Sequence, residues 1–172
     1  MIDPGTHRFG PHNATLSVQT RRGGAAAKAG HDLLLHVTRW EGTLSVGDDG
    51  TPVGAELTAD AASLRVQRGT GGMIPLGEAD KDNIHQTIDD EVLERRAIAF
   101  RSIAVTGTRL EGELTLGSKS RPLAVELTVG DDGAVRGGAT ITQSSWGMKP
   151  YSALFGALKV HDDVEVVLEG HL

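Results

Sequence analysis

The chain has 172 residues, with 17 Lys and Arg against 23 Asp and Glu for a net charge of −6, and 38% of it is apolar beside a further 23 glycines. That composition belongs to a folded globular protein, and the length suits one domain, 1–172, with a full core. The acidic balance without a basic run argues against a nucleic-acid partner, and the complete lack of cysteine removes disulfides, thiolate metal sites and thiol nucleophiles.

The opening stretch, MIDPGTHRFG, has neither a basic start nor an apolar run. No signal peptide is therefore expected, and no stretch reaches the ~20 apolar residues of a membrane helix. The expected compartment is the cytoplasm, or the periplasm or exterior if a leader has been removed. NATLSVQT, DLLLHVT and EGTLSVG then read as strands, with Trp40 expected in phase with Leu34 and His36. GDDG at 47–50 marks a hairpin turn, since Asp-Gly tolerates positive φ. In GAELTADAASLRV, Ala55, Leu57, Ala59 and Ala61 share one face. QRGTGGMIPLG is a glycine-rich loop that presents Met73 and Ile74.

One segment changes period. In PLGEADKDNIHQTIDDEVLERR, Ile84, Ile88 and Val92 recur at helical spacing, with acidic residues in front and Arg95 and Arg96 behind, as a helix dipole favours. A single amphipathic helix is expected mid-chain. Strands resume in AIAFRSIAVTG, where Phe100 is in phase with Ile98 and Ser102. LEGELTLG follows, with Leu110, Gly112, Leu114 and Leu116 on one side. After a reversal at GSKSRP, RPLAVELTVG aligns Leu123, Val125, Leu127 and Val129. A second GDDG at 130–133, then AVRGGATITQS and DVEVVLEGHL, complete eight to ten short antiparallel strands, the pattern of a sandwich or barrel. Before the last strand, WGMKPYSALFGALKV concentrates three of the six aromatic residues, Trp146, Tyr151 and Phe155, in what reads as an unpaired connection of about ten residues.

Catalytic signatures are missing. GELTLGSKS places Ser118 where a phosphate-binding loop needs Lys, and its middle reads as strand. His31 and His36 lie five apart, on opposite faces of a strand, which does not suit a shared metal ion. No Gly-x-Ser-x-Gly elbow occurs. The carboxylates Asp89, Asp90, Glu91 and Glu94 read as the wet side of the helix. No catalytic residue, metal or cofactor is expected.

Taken together, RWEGTL, ADAASLRV, NIHQTIDDEVLERRAIAF, LEGELTLGSKSRPLAVEL and GGATITQSSWGMKPYSALFGALKVHDDVEVVLEG resemble, in order and over about 160 residues, the YceI-like family of lipid-binding proteins. The resemblance implies an all-β fold: a single antiparallel lipocalin-like β-barrel of about eight strands, a helix beside it, and a cavity for a long-chain isoprenoid or amide-type lipid. Many members carry a secretion leader, which is not expected here unless one has been removed. Gly-His-Asp at 30–32 and KPYSALFGALK also depart from the more familiar members, so the ligand need not be the usual one.

The expectation is a non-enzymatic carrier whose partner is an apolar small molecule, an isoprenoid or other fatty chain. Trp40, Phe100, Trp146, Met148, Tyr151, Leu154 and Phe155 would line the site, with Met73 and Ile74 on the neighbouring loop. His31, Lys149 and the Tyr151 hydroxyl are candidates for a polar head group. The alternative is an interaction or self-association module, a homodimer for example, that docks through the aromatic segment 146–155. A hydrolase or hydratase acting on a bound lipid is a third reading, and it would need a His, a carboxylate and a nucleophile converging at the cavity wall.

Overall fold

The computed structural model describes residues 2–153 and 156–172. In chain order the elements are β1 (Gly5–Phe9), β2 (Ala14–Thr20), β3 (Arg22–Gly23), β4 (Asp32–Val37), β5 (Trp40–Val46), β6 (Pro52–Ala59), β7 (Leu64–Thr70), α1 (Glu78–Thr87), β8 (Ile98–Thr106), β9 (Arg109–Leu116), β10 (Lys119–Val129), β11 (Ala134–Thr142), β12 (Ser152–Ala153), β13 (Leu158–Val160) and β14 (Asp163–His171). Eleven of these strands form one antiparallel sheet in the order β1-β5-β6-β8-β9-β10-β11-β14-β2-β4-β7. A small second sheet, β12-β13-β3, lies in the segment expected to be unpaired; Lys159 faces Gly23 and Val160 faces Arg22 across it.

The large sheet curls strongly into a half-barrel. It is not the closed eight-stranded barrel expected from the sequence: the pairing has two free ends, β1 and β7. The reason is local. Three long extended runs are each broken once, at 10–13, at 38–39 and at 60–63, so that each contributes two strands. The halves β1, β5 and β6 lie at one end of the strand order, and β2, β4 and β7 at the other.

The breaks are held together by a compact set of hydrogen bonds. Thr38 N donates to Ser63 O at 2.8 Å and Asp60 N to Arg39 O at 3.0 Å, so the backbone ladder continues across the bend. The fully buried Ser63 hydroxyl accepts from Arg39 N at 3.0 Å and donates to Asp60 O at 2.7 Å. Arg39 and Asp60 also form a 2.9 Å ion pair, and the Asp60 carboxylate caps the turn by accepting from Ala62 N. Each break shifts the side-chain phase. Leu33, Leu35 and Val37 face inward on β4, yet Trp40, Gly42 and Leu44 do so on β5. Trp40 is therefore out of phase with Leu34 and His36, contrary to the alternation read along the sequence.

The helix follows its apolar stripe. Ile84, Ile88 and Val92 turn towards the sheet interior, and Asp80 accepts from Gly77 N at 2.9 Å to cap the first turn. The regular α-helix is shorter than the sequence suggests, because Ile88–Val92 forms a π turn and Glu94 and Arg95 adopt positive φ, 51° and 52°. Asp89, expected on the wet side, is buried, with its Oδ2 3.2 Å from His85 Nε2. Both GDDG turns form as read: Gly50 and Gly133 have φ near 80° (77° and 88°), and Asp49 and Asp132 each accept from the amide two residues on.

Ser63→Ala would leave the Arg39 amide without its acceptor at a fully buried bend. A loss of about 1–3 kcal/mol is expected in urea unfolding, with the denaturant slope unchanged.

Candidate functional site: an apolar cavity

The inward face of the sheet carries the alternation read from the sequence. Leu57 and Ala59 on β6, Leu110 and Leu114 on β9, Leu123 and Val125 on β10, Ala139 and Ile141 on β11, and Val166 and Leu168 on β14 all turn inward. They do not meet in the middle. The curled sheet and the helix enclose an elongated cavity of about 730 Å³, within the usual range for small-molecule sites. Small side chains make the room: Ala55, Ala59, Gly137 and Ala139 stand where larger residues would close the space. The result is visible in burial, since Leu33, Leu57, Phe100, Leu123 and Val166 face inward yet are only half-buried.

Polar groups gather at one end. The hairpin tips 47–51 and 130–133 lie at the opposite, packed end, where Leu44, Val46, Leu110 and Val135 are buried. At the open end the wall includes Arg22, His31, Gln143, Tyr151 and Lys159. Their charges are partly spoken for: Arg22 Nη1 donates to Thr70 O at 2.9 Å and approaches Asp32 at 3.5 Å, and His31 Nε2 donates to Ile74 O at 2.7 Å. Deeper in, Trp40 Nε1 and Thr20 Oγ1 are covered by neighbouring atoms and have no hydrogen-bond partner among the described residues. Neither presents a polar group to the hollow, whose interior is aliphatic.

The residues singled out by sequence separate into three groups. Trp40, Phe100, Met148, Tyr151, Ile74 and His31 lie on the cavity wall, with Tyr151 at the mouth and 39% exposed. Trp146, Met73 and Lys149 do not. The Trp146 ring is buried and its Nε1 donates to Leu114 O at 2.8 Å, which fixes it as a structural anchor between the 143–146 turn and β9. Met73 projects outward from the 71–77 loop, 74% exposed, and Lys149 is exposed beyond the rim. Leu154 and Phe155 lie outside the described residues. Sequence reasoning named rings as candidates and expected the rest of the lining to be mainly aliphatic without naming it, although the alternation of Leu123 and Val125 was a signal for that wall. Among the described residues no group of three or more His, Asp or Glu could hold a metal ion, and no helix is long and apolar enough to cross a membrane.

The family model for the YceI-like domain matches residues 11–172, essentially the whole chain, and the chain belongs to that family. No curated protein matches it.

The wall also explains one glycine. A Cβ on Gly112 would come within 2.5 Å of Arg101 O and 2.6 Å of the Phe100 ring, which lies across this position. Gly112→Ala should push the Phe100 ring into the cavity and cost about 1–3 kcal/mol, read by thermal melting together with a changed Phe100 ring signal in NMR spectra.

Proposed function

From the family and the cavity together, we propose that this protein is a non-enzymatic carrier that takes one long-chain apolar molecule, an isoprenoid or other lipid, into the hollow of the curled sheet. The observation that carries the reading is the cavity itself: about 730 Å³, lined mostly by apolar side chains, with Arg22, His31, Gln143, Tyr151 and Lys159 at its mouth. Such a shape suits a chain with one polar end. The tail would fill the interior, and the head would lie among His31, Tyr151, Arg22 and Lys159.

The driving force is removal of the tail from water. Burying ten methylenes at about 0.8 kcal/mol each contributes about 8 kcal/mol, the scale of micromolar affinity. Association and chain ordering offset part of this gain, which favours tails longer than ten carbons. Catalysis has less support, because the described polar groups at the mouth include no nucleophile held by a base and a carboxylate. The interaction-module reading is also weaker, since Trp146, one of the rings of its 146–155 docking patch, is 4% exposed and hydrogen-bonded into the fold.

Native mass spectrometry of protein purified without detergent should show a bound apolar molecule, or uptake of polyprenol or fatty-chain probes. Ala139→Trp, which fills the cavity from β11, should weaken uptake at least about tenfold while leaving the circular dichroism spectrum intact. An empty wild-type protein that refuses both classes of probe would sink the carrier reading.

A further inference from the structure

The mouth of the cavity carries an apolar tip whose surface lies mostly outside the interior. Among the described residues Met73 and Ile74 are 74% and 73% exposed, side by side on the 71–77 loop. This tip is held, not loose: Met73 N donates to Lys28 O at 3.0 Å, and Ile74 O accepts from His31 Nε2 at 2.7 Å. Gly71 and Gly72, with φ of 75° and 72°, turn the chain so that the two side chains project beyond the rim. Ile74 also borders the cavity, so the tip and the opening are continuous.

Charge is distributed unevenly along the molecule. The segments around the mouth expose Arg21, Lys28, Arg68, Lys149 and Lys159, whereas the hairpin tips at the packed end expose Asp48, Asp49, Asp131 and Asp132. Asp32 neutralises part of the rim by pairing with Arg21 and Arg22, and the first turn of α1 adds Glu78, Asp80 and Asp82 on one side. Lys28 nevertheless lies directly behind the apolar tip, and Lys149 and Lys159 lie on the side of the mouth formed by the small sheet. Exposed cations occur elsewhere too, with Arg109 and Arg136 paired to Glu126 and Glu169 towards the packed end, but the most exposed adjacent apolar pair shares its end of the molecule with Lys28, Lys149 and Lys159.

Resting on the carrier reading, we propose that the mouth docks on the surface of a bilayer containing anionic lipid. Met73 and Ile74 enter the interfacial region, and Lys28, Lys149 and Lys159 face the headgroups. Apolar cargo then passes between bilayer and cavity without crossing water.

Flotation with vesicles of phosphatidylcholine and phosphatidylglycerol, against phosphatidylcholine alone, tests the contact. Wild-type protein should float with the anionic vesicles and be released as salt is raised. The double variant Met73→Asp, Ile74→Asp should bind at least about tenfold more weakly, Lys28→Glu with Lys149→Glu should act in the same direction, and Ile103→Asp, on the outer face of β8 away from the mouth, should change nothing. Uptake of a polyprenol probe presented in solution is measured on the same samples. Retained uptake without flotation, or flotation insensitive to the mouth variants, overturns the docking proposal and leaves the carrier reading standing. Flotation without uptake overturns the carrier reading, and with it the transfer role given to the contact.

Discussion

The fold depends on how two β-ladders are joined at one bend without leaving a backbone group unpaired. Where β4 passes into β5 and β6 into β7, the strands change direction and the side-chain phase slips. A slip in the middle of a sheet ordinarily strands amides and carbonyls away from water, at a cost of about 1–3 kcal/mol each. Ser63 removes that cost by supplying, from one side chain with no exposed surface, an acceptor for Arg39 N and a donor for Asp60 O. Thr38 doubles the junction, since its amide and hydroxyl both donate to Ser63 O at 2.8 Å. With the bend secured, the two ends of the strand order are the two halves of the same three runs, and the sheet curls around a common interior.

That interior is shaped by residue size as much as by curvature. Close packing is the normal state of a protein core, and a hollow forfeits dispersion contacts along its whole lining. Here the forfeiture is systematic. Ala55, Ala59, Gly137 and Ala139 recur on inward positions of β6 and β11, around the same hollow that Ile84, Ile88 and Val92 line. Leucine at two of those positions would narrow the gap with no change in pattern. The alternation specifies which face is buried, and the volumes along it specify that the face is not filled.

The alternation and the turns were legible from sequence because both are local. The inward faces of β9 and β10, both GDDG turns and the apolar stripe of the helix each occupy about ten consecutive residues and need no knowledge of what packs against them. The bends were not legible for the converse reason. Nothing near Thr38 or Ser63 announces a phase change, so a reading that carried the period of DLLLHV forward put Trp40 in phase with Leu34 and His36, whereas it shares the inward face with Leu33, Leu35 and Val37. Asp89 looked like one more acid on a wet surface, since its burial follows from the packing of the 88–92 turn against the 61–63 turn and from His85, not from the apolar pattern of the helix. Trp146 looked like a cavity aromatic, and only the chain path from β11 shows its ring held against β9. Of the concentrated rings Tyr151 lies at the mouth, yet the extent of the cavity depends on aliphatic residues too ordinary to stand out.

The distribution of burial along the barrel axis connects the fold to the proposed function. Towards the hairpin tips Leu44, Val46, Leu110, Leu127 and Val135 are buried; towards the mouth Val18, Leu33, Ile98, Leu123 and Ile141 point inward but are only half-buried. One end therefore supplies a conventional core, while the other offers apolar surface that only a guest can cover. An occupant bound there but not by the unfolded chain stabilises the protein by mass action, in proportion to the logarithm of its concentration over its dissociation constant. Stability in the mouth half is then coupled to occupancy, and the segments framing the mouth (the 71–77 loop, β3 and the β12–β13 hairpin) rest on the contacts that an occupant would complete. On the proposed carrier reading, a polar or narrow guest would leave the apolar wall wet, and the same half-buried residues that make this end less tightly packed would favour a long apolar chain.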